Sequence, residues 1–201
     1  MMATAPLDHF NQNLDRARAL CVMAKSLGAV VTSAVDLSDI FRASLVLGVS
    51  ALDHFIHEFV RIGMLEVHRG IRSSTDAHLN FKITLGAARA AIAAHPTDDW
   101  LDEAIREAHS WLSFQQPEKI ADAVRLVSAT KLWDEIGKEL GSSSAQAKLQ
   151  LTVIVDRRNK IAHEADLDPT SGLRWPIDEQ LVSDALTYLE RVAHAVSKVA
   201  N

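Results

Sequence analysis

Residues Ser38 to Arg69 read SDIFRASLVLGVSALDHFIHEFVRIGMLEVHR, and this stretch decides the fold class. Leu45, Val49, Leu52, Ile56, Phe59 and Gly63 recur at three- and four-residue steps. At ~100° per residue that spacing draws one buried stripe along a helix. Ser38 or Asp39 is placed to cap its start, and Gly70 ends it. Towards the N-terminus, Phe10, Leu14, Ala17, Cys21 and Ala24 share one stripe of a first helix over roughly 7–28. Val30 to Leu37 is β-branched and reads either as a continuation or as a loop.

Towards the C-terminus, 70–76 reads as loop and roughly 77–94 as helix. Pro96-Thr97-Asp98-Asp99 is a stop followed by an N-cap, opening a helix over about 99–113. Pro117-Glu118 forms the first turn of a helix that runs to about Leu140, where Gly141 and three serines break it. A sixth helix spans roughly 144–165, closed by Asp166, Asp168-Pro169 and Ser171-Gly172. Pro176 with Asp178 starts a last helix that reaches the C-terminus. The 8 Gly and 5 Pro fall between the periodic stretches, and no alternating run, repeat or low-complexity tract interrupts them. The expectation is an all-α helical bundle of about six to seven helices, one domain over 1–201.

Composition narrows the function classes. Hydrophobic residues at 48% and charged residues at 23% exclude a disordered chain, collagen or a coiled-coil rod. The single cysteine, Cys21, can form neither an internal disulfide nor a cysteine zinc cluster, so a reducing cytoplasm is the natural compartment. No uncharged apolar stretch approaches the ~18 residues of a membrane span. The opening Met-Met-Ala-Thr-Ala-Pro has no basic segment leading into an apolar one, so no signal peptide is read. Lys+Arg 21 against Asp+Glu 26 gives −5, which argues against a basic nucleic-acid coat but leaves room for a small basic site.

The sixth helix breaks the pattern. Leu151, Ile154, Val155, Ile161, Ala162 and Ala165 form its stripe, facing the interior or a partner, and Arg158 lies near the middle of it. A guanidinium there is costly unless a carboxylate, an anion or a wet cleft receives it. Asn159 and His163 are four apart and share a flank; Arg158 and His163 are five apart, about 140° around the helix. Their convergence therefore needs the long arginine side chain or a second copy of the helix. Two readings stand. Arg158 snorkels to the rim while His163 stabilises the helix C-terminus. Alternatively, Arg157, Arg158 and Lys160 hold a phosphate beside His163 as acid or base.

Arg158-Asn159-Lys160-Ile161-Ala162-His163 resembles the Arg-x4–6-His motif of HEPN domains, in which a polar residue commonly follows the arginine. The likeness extends to the all-α layout, with the motif on a late long helix followed by a final one. It implies a homodimer whose two motifs meet in a composite cleft, and metal-independent endoribonuclease chemistry without a cofactor. His163 is then the general acid/base, Arg158 binds the scissile phosphate, and Asn159 orients or polarises within the site. Arg157 and Lys160 are candidate RNA-binding cations. A branch associated with nucleotidyltransferases often carries tyrosine two residues after the histidine; Ala165 stands there, and Arg-Asn-x-x-x-His-Glu more closely resembles the RiboL-PSP-HEPN branch. A toxin or defence nuclease, with RNA as substrate and an antitoxin or regulatory partner, belongs to the same implied picture. The chemistry is sufficient in itself: RNA brings its 2′-hydroxyl, histidine moves protons near neutral pH, and arginine neutralises the phosphorane.

Asp53 and His57 lie four apart at the edge of the second helix's stripe. Either Asp53 receives Arg158, or the two residues form an exposed i, i+4 contact. His54, His57 and Glu58 do not have the His-Glu-x-x-His spacing of zinc proteases and have no evident third ligand, so no metal is expected. His9, His68, His78, His95, His109 and His194 are scattered, with surface or capping roles expected. Trp100, Trp111, Trp133 and Trp175 form no basic-aromatic ladder and read as core or interface anchors. Gly141 with its serines lacks the Lys-Ser/Thr of a phosphate loop, and no Gly-x-Ser-x-Gly elbow is present. The competing classes are a non-catalytic HEPN-type binding or interaction module and a helical scaffold in which Arg158 only secures the dimer.

Overall fold

The stripe read from residues 38–69 is buried along its whole length in helix α2 (Ser38–His68), the axis of the structure. A computed structural model describes residues 4–32, 35–93 and 97–200. Within them the chain is all-helical, with α1 (Thr4–Gly28), α3 (Asp76–Leu79), α4 (Leu85–Ala93), α5 (Asp99–His109), α6 (Pro117–Val124), α7 (Leu132–Leu140), α8 (Ser144–His163) and α9 (Glu179–Val199) around α2. No strand occurs among the described residues; Leu167 and Arg174 form one isolated antiparallel bridge. Helices α1, α5, α6, α8 and α9 pack against α2, and α7 packs against α8 and α9. One continuous apolar cluster links α1, α2 and α5 to α9. That burial explains why α2 has the length and apolarity of a membrane span while 56% of its most apolar window lies inside the bundle.

Two glycines of α2 permit close packing. Gly48 of α2 lies against Leu186 of α9, where any Cβ would overlap the leucine. A Cβ on Gly63 would come within 2.7 Å of Val127. The Tyr188 hydroxyl donates to the Ala147 carbonyl at 2.7 Å, tying α9 to α8. Burial pushes that hydroxyl up to about 12, so it remains a donor.

Capping follows local chemistry, with corrections. Ser143 and Gln146 close a capping box on α8, and Asp178 accepts the Leu181 N–H at 2.8 Å to start α9 as read. At α2 neither Ser38 nor Asp39 caps; Leu37 holds the N-cap position, and Asp36 accepts the Ser38 N–H at 2.8 Å. Asp98 occupies the N-cap position of α5, but its carboxylate binds Arg69 instead of the helix. Pro96 and His95 lie outside the described residues.

Two expected helices are each two. The segment 77–94 divides because Asn80 folds back on the Asp76 carbonyl at 2.7 Å and Thr84 restarts the chain by accepting the Ala87 N–H. The segment 117–140 divides after Val124: Val127 is drawn down against Gly63, and Ser128 and Thr130 bond each other and the local backbone. The described helices therefore number nine, against the six to seven expected. Helix α4 packs on α5 but buries no residue, leaving Leu85 and Ile92 exposed.

Candidate functional site

Helix α8 enters the bundle through Ala147, Leu151, Ile154 and Val155, all buried. Beyond Val155 its apolar stripe emerges: Ile161 is half-buried, while Ala162 and Ala165 are exposed instead of facing the interior. The basic run lies on this emerging end.

The structure separates the two arginines. Arg157, expected as an RNA-binding cation, turns inward: its Nη2 lies 2.9 Å from Asp166 Oδ2 and also donates to the carbonyls of Trp175 and Pro176. Asp166 is 1% exposed and is shared with Arg42, whose Nε donates to the same oxygen at 2.7 Å. Arg42 also donates to Ser38 Oγ and to the Trp175 carbonyl. Burial pushes the Arg157 guanidinium below its usual range, Asp166 opposes the shift, and Arg42 adds to it. Ala165 and Asp166 adopt φ of 52° and 60°, a left-handed turn that ends α8 and delivers the carboxylate beneath it. Arg157 is thus a fastening of the 166–176 loop to α8 and α2. No sequence spacing announced Arg42 or Asp166 as its partners.

Arg158 is half-buried, and among the described residues it makes no ion pair. Its Nη1 donates to Asn159 Oδ1 at 2.9 Å, and its buried Nε has no partner. His163 is exposed at the helix end, without a hydrogen-bond partner among the described residues. Lys160 is exposed, with its ammonium 5.4 Å from the centroid of the Trp175 ring. The emerging end of α8 therefore offers Arg158, Asn159, Lys160 and His163 without a nearby carboxylate bound to any of them. Among the described residues no hydrogen bond joins Arg158 to His163.

Asp53 does not receive Arg158. It accepts the Phe114 N–H at 2.6 Å and Gln115 Nε2 at 3.2 Å, pinning the turn after α5 to α2. His57 stands 3.9 Å from the Asp53 carboxylate and lies over the Phe114 ring, 4.3 Å between centroids. The same turn reaches α8 through Gln116, which donates to Asp156 at 3.1 Å. Glu58 is held by Arg61 at 2.7 Å, and no grouping of three metal-ligating side chains occurs among the described residues.

His109, expected at the surface, is buried between Phe81, Phe114 and His57. Desolvation, with a smaller contribution from His57, pulls it down to about 4. Between roughly pH 6.5 and 4 the unfolded chain takes a proton that the folded chain refuses, so stability falls with acidification across that window. His109→Phe should remove this slope. From pH 6.5 to 5 the wild type should lose about 1.5 kcal/mol more than the variant in urea unfolding. Equal losses would show that His109 is not the group responsible.

Comparison of the chain with protein-family models, with curated proteins and with solved structures yields no match.

Proposed function

We propose that this chain is a metal-independent endoribonuclease of HEPN type, acting in the cytoplasm as a homodimer. A toxin or defence role, restrained by an antitoxin or regulatory partner, fits that chemistry. The observation that carries the reading is Arg158: a half-buried guanidinium with an orphaned Nε and no ion pair among the described residues, beside an exposed histidine on the same helix end. A cation left without a carboxylate in that setting calls for an anionic ligand. The cluster supplies the groups for 2′-hydroxyl attack. His163 exchanges the protons of nucleophile and leaving oxygen, and Arg158, oriented by Asn159, neutralises the phosphorane. Lys160 holds the adjoining backbone, and Arg157 braces the helix that carries them all.

Arg158 and His163 lie about 140° apart around α8, so their convergence needs the long arginine side chain or a second copy of the helix. A second copy of the emerging helix end solves this. Exposed Ala162, Ala165, Leu167 and Leu173 offer an apolar seam beside the motif for that copy. Asp53 and His57 support α8 indirectly in this reading, by holding the 114–116 turn that contacts it at Asp156.

Purified protein should cut single-stranded or looped RNA in EDTA, leaving 2′,3′-cyclic phosphate and 5′-hydroxyl ends. It should sediment as a dimer at micromolar concentration. Cleavage that disappears in EDTA, or a protein that remains monomeric while cutting, would overturn the mechanism.

A further inference from the structure

An apolar cleft of about 490 Å³ opens between α8, α9 and the loop before α9. Val153, Ile154, Leu181 and Ala185 form its walls, and Trp175 lines it from the loop before α9. Val153 is 61% exposed and Leu181 42%, so the cleft is open to solvent. Three polar residues border it. Arg157 lies towards the basic end of α8, while Gln150 and Asp184 are exposed on the opposite part of the lining. Asp184 Oδ1 accepts from Gln180 at 2.8 Å, and its second oxygen has no partner among the described residues.

We propose that this cleft is a nucleobase subsite, which stacks a base on Trp175 and reads its amino group through Asp184. The inference rests on the ribonuclease reading of α8 and names what its substrate places beside the scissile phosphate. Asp184 and Gln150 give the exposed side of the cleft a polar rim, which an occupant apolar all over would leave unused. A base has flat apolar faces and a hydrogen-bonding edge, so it satisfies the walls and the rim together. Charge supplies the direction. Lys160 sits against the same Trp175 ring, and at 1.5 Å per residue His163 lies ~9 Å along α8 beyond Arg157. A base held in the cleft therefore leaves its sugar and phosphate beside Lys160, at the basic end of α8.

The carboxylate sets the preference. Cytosine and adenine present an exocyclic amino donor, whereas uracil presents carbonyl oxygens there. Asp184, which only accepts when ionised, should bind the amino-bearing bases and repel uracil. Asn at the same position both donates and accepts, so it should tolerate either edge.

The test uses 2′-O-methyl oligonucleotides of cytidine, adenosine or uridine, which lack the nucleophile and cannot be cut, titrated at one salt concentration. Wild type should bind the cytidine and adenosine oligomers about tenfold more tightly than the uridine oligomer, with quenching of tryptophan fluorescence. Trp175→Ala should weaken all three by about tenfold or more, as lost base stacking does. Trp175→Phe should restore most of that affinity. Asp184→Asn should bring cytidine and uridine to within about twofold of each other. Equal wild-type affinities for cytidine and uridine, or Trp175→Ala binding as wild type does, would overturn the subsite while leaving the nuclease intact. Loss of the dimer in Trp175→Ala or Asp184→Asn would show that a second copy fills the cleft, and would also overturn it. RNA that is neither bound nor cut by wild type would remove the ribonuclease reading itself.

Discussion

Asp166→Asn should lower the stability of the protein by about 3–5 kcal/mol, the cost of leaving a buried charge without its counter-ion. The substitution keeps size and shape and suits the left-handed backbone at this position, where φ is 60°. It removes only the charge. Arg42 and Arg157 both reach Asp166 Oδ2, at 2.7 and 2.9 Å, and the carboxylate is 1% exposed. Without it, two guanidiniums face each other across a site where carbonyls of Trp175 and Pro176 provide the remaining acceptors. The loss should be measured as a lower urea midpoint at pH 7 with unchanged slope. Arg157→Met relieves half the conflict, so Asp166→Asn should cost distinctly less in that background, a coupling that a double-mutant cycle reads directly. A loss below about 1 kcal/mol for the single change would show that the loop is held by its backbone contacts and not by this ion cluster.

That cluster also marks where sequence and structure part. The stripes of α1 and α2 and the cap of α9 were legible because each depends on residues close in the chain. The break within 117–140 was not, since Val124, Val127 and Leu132 remain buried although the backbone between them leaves the helix. Apolar periodicity reports burial, and here burial continues without the helix. The signal that could have found the break is Ser128 with Thr130, whose hydroxyls compete for local backbone groups.

The wheel of α8 misled in the same way. It placed Arg158 in the stripe, yet the guanidinium drawn into a buried ion pair is Arg157, about 100° away. The reason is tertiary: Asp166 returns beneath the helix through a left-handed turn, and Arg42 arrives from 124 positions earlier in the chain. Neither is predictable from spacing. The same event changes the candidate site. With Arg157 committed to Asp166, the cations of the run left without a carboxylate partner among the described residues are Arg158 and Lys160.

Substitutions at Arg158 and His163 separate a nuclease from a scaffold. His163→Ala should reduce RNA cleavage by ~10²–10⁴-fold while helicity and stability are unchanged, because the side chain is exposed and bonds nothing among the described residues. Arg158→Lys should be nearly as damaging, by on the order of a hundredfold or more. An ammonium keeps the charge but cannot reproduce the planar, two-pronged contact with phosphate oxygens. The loss should fall mainly on kcat, since negative charge on those oxygens is greatest in the transition state. Dimerisation should survive both changes. If Arg158 serves instead to secure two copies, the pattern reverses: Arg158→Lys or Arg158→Met weakens the dimer, and there is no cleavage for either variant to lose. Sedimentation and RNA cleavage measured on the same Arg158→Lys preparation distinguish the two. A variant that falls to monomers, from a wild type without nuclease activity, would assign Arg158 to assembly and withdraw the enzyme.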